Sequence, residues 1–205
     1  MKTHPYGDGA LYVDLELGDA PDRAERTHAV AAALRERLPR ADVVVGAGSV
    51  ALVGLGAWDD VEAVVAEALR RGGAAGSRPA EHAIEVVYDG PDLDDVARAT
   101  GLTPAEVAQL HASRAYVVEL VGFLPGFGYL GPIDPRLVVP RRALPRPRVD
   151  ANSVAVAGPY TGIYPITCPG GWHLIGRAAD AALFDSTRHP PARFAPGDRV
   201  RFVRG

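Results

Sequence analysis

The run Gly122-Phe-Leu-Pro-Gly-Phe-Gly-Tyr-Leu-Gly131 decides how the second half of the chain is read. An arginine-rich continuation extends to Arg148, and a second run, Thr161-Gly-Ile-Tyr-Pro-Ile-Thr-Cys-Pro-Gly-Gly-Trp172, shares its character. Both are too rich in Gly and Pro for ordinary helix or strand. Both carry aromatic and cationic residues that a plain linker does not need. Glycine permits close backbone approach, and loops of this kind held between strands are where binding residues collect. The competing reading makes them tight corners of a β-barrel, with Phe127, Tyr129 and Trp172 as core plugs.

Outward from these loops the chain reads as β. Tyr116–Val121, Ser153–Ala157, Trp172–Arg177 and Asp198–Val203 are short strands with Gly/Pro corners, which indicates a closed barrel rather than a parallel sheet. Before them lie two short helices. One follows Gly90-Pro-Asp92 and ends at Gly101. The other begins at Thr103-Pro-Ala-Glu106, a capping-box sequence with Pro at the first position. The pair resembles a helix-turn-helix, but Pro104–Ser113 contains no Arg or Lys to face phosphates. No nucleic-acid partner is expected, and the pair reads as a helical insert beside the barrel.

The first part reads differently. Ala10–Leu17 alternates apolar and polar residues, the period of a half-buried strand. A helix follows, with Pro21 suited to its first turn and Pro39 as its stop. Ala41–Val45 and Ser49–Leu55 flank the hairpin signal Gly46-Ala-Gly48. Trp58–Arg71 has a helical apolar face, Gly72–Pro79 is a flexible break, and His82–Tyr88 alternates again. The order β-α-β-β-α-β predicts a ferredoxin-like unit with both helices on one face of an antiparallel sheet. Its boundary falls near residues 80–90. The working division is 1–85 and 86–205, and the last strand could belong to either part. The fold class is therefore α+β.

Composition bounds the function. The chain has 205 residues, net charge −3 and 47% hydrophobic residues, an ordinary soluble composition with no bulk charge for nucleic acid or an anionic membrane. Lys2 is the only lysine, so no Schiff-base or P-loop lysine is present. Cys168 is the only cysteine, which excludes an internal disulfide or a cysteine zinc cluster. The N-terminus lacks the apolar core of a signal peptide, and no run approaches the ~20 apolar residues of a membrane span. A cytoplasmic setting without membrane contact is expected.

Arg141, Arg142, Arg146 and Arg148 sit among Pro140, Pro145 and Pro147, so their guanidinium groups project from a stiff segment. Arginine binds carboxylate bidentately. Arg141 and Arg146 are read as an anion clamp, Arg142 and Arg148 as solvated. Asp134 and Asp150 flank the segment and could orient it. His111 could be a general base or a hydrogen-bond anchor. Tyr129, Tyr160 and Tyr164 could line a pocket. Cys168 has no evident base and reads as a small apolar residue. The histidines show no metal-ligand spacing, so no metal is expected.

The two glycine-rich runs, Pro140-Arg-Arg-Ala-Leu-Pro-Arg146, Pro169-Gly-Gly-Trp172 with Ile175-Gly-Arg177, Tyr6-Gly-Asp8, Asp92-Leu93 with Val96-Ala97, Leu110-His111 and Pro196-Gly-Asp198 resemble the 5-oxoprolinase B-subunit family. That family is also called KipI-like or allophanate hydrolase subunit 1. The resemblance runs over essentially the whole chain. Pro159-Tyr160 and Ala151-Asn-Ser153 differ from the family's usual Gly-Gly-Gln and Ala-Gly-Ser. The resemblance implies a ferredoxin-like domain followed by a cyclophilin-like barrel of carboxyltransferase type. It implies a subunit that opens 5-oxoproline to glutamate with ATP, which the complex would use without a P-loop in this chain. The implied partners are a second cyclophilin-like subunit, of the 5-oxoprolinase C type, and the lactam-hydrolase A subunit. The alternatives are an inhibitor of a sensor histidine kinase, or an accessory to a urea carboxylase/allophanate hydrolase system. The candidate site places His111 and Tyr164 in catalytic roles. Arg141, Arg146, Gly126, Phe127, Tyr129, Tyr160, Gly170, Gly171 and Trp172 are its substrate-binding residues.

Overall fold

A computed structural model describes every residue except 19, 21, 56–60, 72–78 and 180. It divides into two compact units, Met1–Arg78 and Pro79–Gly205. The expected break at Gly72–Pro79 and the start of the second helix at Trp58 fall largely outside the described residues.

The first unit contains β1 (Lys2–Pro5), β2 (Ala10–Asp14), α1 (Arg23–Arg37), β3 (Asp42–Gly46), β4 (Ser49–Val53) and α2 (Val61–Arg71). The sheet order is β1-β2-β4-β3, antiparallel throughout. Alternation sorts the strand residues. Leu11, Val13, Val43, Val50 and Leu52 join Val30, Leu34, Val61 and Val65 of the helices in one core. Tyr12, Val44 and Val53 face outward and are exposed. The sheet departs from the expected β-α-β-β-α-β order at one place. The edge beside β2, expected for His82–Tyr88, is occupied by Lys2–Pro5. A tight return from Pro5 to Ala10 makes that pairing local, and local pairing costs little loop-closure entropy.

The strand expected at that edge, β5 (Glu81–Val87), belongs to the second unit. It is followed by α3 (Leu93–Thr100), α4 (Pro104–Ala112), β6 (Ala115–Val121), β7 (Gly128–Gly131), β8 (Arg146–Val149), β9 (Ser153–Ala157), β10 (Tyr160–Ile163), β11 (Cys168–Gly170), β12 (His173–Ala178) and β13 (Arg199–Arg204). Seven strands close a barrel in the order β10-β7-β6-β13-β5-β12-β9. β5 runs parallel to β13 over Glu81–Val86, and the other pairs are antiparallel. β8 and β11 form a separate two-stranded sheet.

The glycine-rich runs therefore contain strands: Gly128–Gly131, Tyr160–Ile163 and Cys168–Gly170 all carry ladder pairings. A ladder is made by backbone groups, so composition alone does not forbid it. α3 ends at Gly101 in the left-handed region, and α4 starts with the complete Thr103–Glu106 capping box. The two helices pack on each other, α3 against β12 and α4 against β13. None of the described helices is long and apolar enough to cross a membrane.

Candidate functional site

Phe127 is the centre of an aromatic cluster. Its ring meets Tyr129, Trp172, Tyr164 and Phe123 edge-to-face at centroid distances of 5.1, 5.4, 5.5 and 5.5 Å. Such pairs prefer T-shaped contacts because ring edges are positive and faces negative. The cluster brings the two glycine-rich runs together. It walls a cavity of about 220 Å³, which Arg141, Pro145, Pro169, Gly170 and Gly171 complete. Seven of the expected site residues thus converge: Arg141, Phe127, Tyr129, Tyr164, Gly170, Gly171 and Trp172.

Local geometry explains the composition. A Cβ on Gly170 would sit 2.4 Å from the Tyr164 hydroxyl, while one on Gly171 would meet nothing closer than Pro145 Cγ at 3.7 Å. Gly170 is therefore a close-approach position and Gly171 is not. Phe123 holds a positive φ of 70° and leaves 60% of its surface exposed at the cavity mouth. A non-glycine residue in that region carries strain that surrounding contacts must hold. Here the Gly122 N–H donates to the Phe127 carbonyl at 3.1 Å, and the Phe127 N–H donates to the Leu124 carbonyl at 3.0 Å. Burial raises the Tyr164 phenol, although the Trp172 backbone N–H and the Arg141 charge oppose that rise. It faces the cavity as a neutral O–H.

Four expected site residues lie elsewhere. His111 is fully buried, its ring packed at 4.4 Å on Phe202 and 5.5 Å on Tyr116. Its Nε2 lies 2.8 Å from Thr161 Oγ1, which itself donates to the Ala155 carbonyl at 3.0 Å. The threonine proton is thus used, so Nε2–H donates and Nδ1 accepts from the Tyr88 hydroxyl at 2.7 Å. Burial pushes its pKa down to about 3. This ring is a neutral core anchor, and it has no free nitrogen with which to act as the expected base. Tyr160 stands behind Tyr129, at 5.6 Å, and donates to Glu119 Oε2 at 3.1 Å. Gly126, at φ +81°, backs onto Leu183 and Phe184, where a Cβ would sit 2.8 Å from the Leu183 carbonyl oxygen. It shapes the loop without lining the cavity.

Arg146 is the fourth. It forks onto Asp92, Nη1 to Oδ2 at 2.7 Å and Nη2 to Oδ1 at 2.6 Å. Arg142, expected to be solvated, donates to Asp92 Oδ1 at 2.8 Å. Asp92 also accepts the Leu174 N–H at 2.7 Å and is 1% exposed. Its burial opposes ionisation, but the Arg146 hydrogen bonds, the Leu174 N–H and the two arginine charges outweigh that and hold its carboxyl below the usual range. Asp134 and Asp150 instead pair with Arg136 and Arg148. Among the described residues Arg141 makes no hydrogen bond or ion pair, so of the arginine run it is the cation left facing the cavity.

Sequence reasoning passes over Phe123, Pro145 and Pro169, although all three lie within the quoted runs. It also passes over Asp92, which lies in the quoted Asp92-Leu93. No local signal marks it, because its burial and its distance to the arginines are set only by the fold. Cys168 is partly buried and its thiol is pushed up by burial, as expected of a small apolar residue. Among the described residues no cluster of His, Cys, Asp or Glu could hold a metal.

Comparison with known proteins brings most of the chain into one group. The family described as carboxyltransferase domain, subdomain C and D, matches residues 1–194. The B subunit of 5-oxoprolinase from Escherichia coli O157:H7 is 51% identical over 123 residues, 58% of this chain and 56% of that protein. Its namesake from Bacillus subtilis is 48% identical over 115 residues, 56% of this chain and 48% of that protein. A putative urea carboxylase of Emericella nidulans is 32% identical over 122 residues, 56% of this chain and 10% of that protein. The matches thus span about half the length of the two 5-oxoprolinase relatives. Among solved structures, TTHA0988 superposes with a TM-score of 0.78 at 37% identity, covering 96% of this chain and 40% of that one. The conserved uncharacterized protein PH0987 from Pyrococcus horikoshii superposes at 0.59 and 32% identity, covering 100% of this chain and 97% of that one.

Proposed function

The chain belongs to the carboxyltransferase domain, subdomain C and D, family, and on that premise we propose that it works as one component of a multi-subunit, 5-oxoprolinase-type hydrolase. Its task is to bind 5-oxoproline, a small cyclic acid, in the aromatic cavity. Similarity to two proteins named as the B component of 5-oxoprolinase supports the substrate class. One observation carries the placement: Arg141 lines the cavity without an ion pair among the described residues, while Arg142, Arg146 and Arg148 are all paired.

The guanidinium of Arg141 takes the carboxylate bidentately. The lactam ring lies among Phe127, Tyr129 and Trp172. Tyr164, kept protonated by burial, donates a hydrogen bond to the ring carbonyl and is assigned no role as a base. In the complete reaction 5-oxo-L-proline, ATP and water give L-glutamate, ADP and phosphate. The cavity is smaller than the ~300 Å³ lower end of ligand pockets and carries one guanidinium, which does not suit a triphosphate. No step through ATP is assigned to this chain. Nucleotide chemistry and ring opening belong to two partners in a cytoplasmic complex, one a second cyclophilin-like chain and the other a lactam hydrolase. On the same reading the barrel is cyclophilin-like. The first unit is a ferredoxin-like variant whose edge strand comes from the N-terminus.

The test is reconstitution with both partners and an assay of ATP-dependent glutamate release. Arg141→Ala is expected to lower turnover at sub-saturating 5-oxoproline at least tenfold. Unchanged turnover removes Arg141 from the site. The match to a putative urea carboxylase supports a second reading, an accessory role in urea carboxylation. It predicts competition of urea with 5-oxoproline for the cavity, and no competition removes it.

A further inference from the structure

We propose that Asp92 is a positioning residue for Arg141, and through it sets the preference of the cavity for a carboxylate. The proposal rests on the reading of the cavity given above. Arg141 belongs to a Pro/Arg loop that is tied down on both sides of it. On one side the His173 Nε2–H donates to the Pro140 carbonyl at 3.0 Å. On the other the Arg142 N–H donates to the Gly171 carbonyl at 2.9 Å. The Arg142 and Arg146 side chains then converge on the single carboxylate of Asp92.

Asp92 is itself held from two directions. Its N–H donates to the Leu174 carbonyl at 3.0 Å, its Oδ2 accepts the Leu174 N–H at 2.7 Å, and its carbonyl accepts the Val96 N–H of α3 at 2.9 Å. Leu174 lies two residues after Trp172, a wall of the cavity. One buried acid therefore joins α3, β12 and the arginine loop. It also engages both Arg142 and Arg146 and leaves Arg141 without an ion pair among the described residues. Without that acid both side-chain ties of the loop are lost, and two partly buried guanidinium groups repel each other beside Arg141.

Calorimetric titration of the full chain with 5-oxoproline and with its neutral carboxamide tests this. Wild type is expected to prefer the acid, and Arg141→Ala to erase that preference. Asp92→Asn is expected to weaken the acid about tenfold, the scale of one charge-assisted contact, and to leave the carboxamide unchanged. The double variant should match Arg141→Ala alone. Equal loss for acid and carboxamide, or losses that add in the double variant, overturns the proposal. If Asp92→Asn does not fold, Arg146→Ala serves, because Asp92 keeps Arg142 and the Leu174 N–H. It is expected to shift the acid-to-carboxamide ratio in the same direction, and an unshifted ratio overturns the proposal. Wild type that binds neither compound, or both equally, overturns the cavity reading and this inference with it.

Discussion

The two units bury different things. Among its described residues the first unit hides an apolar core with Thr27 and Ser49 as its buried polar groups. The second unit hides three carboxylates and a histidine, Asp92, Glu119, Asp198 and His111, alongside its apolar residues. Burying a charge is unfavourable unless it is paired and hydrogen-bonded. Each of the four has partners: Arg142 and Arg146 for Asp92, Tyr160 for Glu119, His82 for Asp198, Tyr88 and Thr161 for His111. An apolar core tolerates many sequences of the right volume. A set of buried polar pairs fixes individual side chains, and the aromatic cavity lies in the unit that has them.

Truncating one core residue in each unit gives the largest effect and the sharpest contrast. Leu34→Ala should cost about 2–5 kcal/mol and Phe127→Ala about 3–5 kcal/mol in chemical denaturation. Only Phe127→Ala should also abolish binding of 5-oxoproline; equal binding loss in Leu34→Ala would break the contrast. Gly170→Ala comes next. The added Cβ would meet the Tyr164 ring as well as its hydroxyl, at 2.8 and 2.9 Å from Cζ and Cε1, so destabilisation of about 1–3 kcal/mol is expected, read as a lower thermal midpoint. Arg141→Ala should change stability by less than about 0.5 kcal/mol, while weakening 5-oxoproline by the tenfold or more that the loss of a charge-assisted contact implies.

A smaller effect is the pH response of the barrel. The unfolded histidine has a pKa near 6.5, while buried His111 is held down at about 3. Between these values the unfolded chain takes up a proton that the folded chain refuses. Its contribution to stability is therefore complete above about pH 6.5, and is lost progressively as pH falls toward 3. The slope approaches about 1.4 kcal/mol per pH unit. His111→Gln should show a flatter profile in denaturant titrations across that window, and an unchanged slope would assign the response to another group. Asp92 adds its own loss from about pH 3.9 downward, because there the unfolded carboxyl takes up a proton that the folded one, held below the usual carboxylate range, still refuses. The smallest effect is at Gly171, where an added Cβ makes only ordinary contact. Gly171→Ala should leave both midpoint and binding within error of wild type.

Much of this was legible in the chain. Alternation in Ala10–Leu17, the hairpin signal between Ala41–Val45 and Ser49–Leu55, the capping box at Thr103–Glu106 and the short strands around Gly/Pro corners all report local physics. The aromatic residues of the glycine-rich runs were legible as a group, and Phe127, Tyr164 and Trp172 do pack into one buried cluster. Local signals could not say which sheet His82–Tyr88 joins. An alternating strand carries the same pattern in either sheet, and only its parallel ladder with β13 settles the matter. Nor could they separate Arg141 from Arg142 and Arg146, three identical side chains on one stiff segment. Their fates diverge because Asp92, about fifty residues earlier, reaches two of them and not the third. Pattern is a property of neighbours along the chain, whereas the pairing of charge is a property of distance in space, and only folding sets that distance.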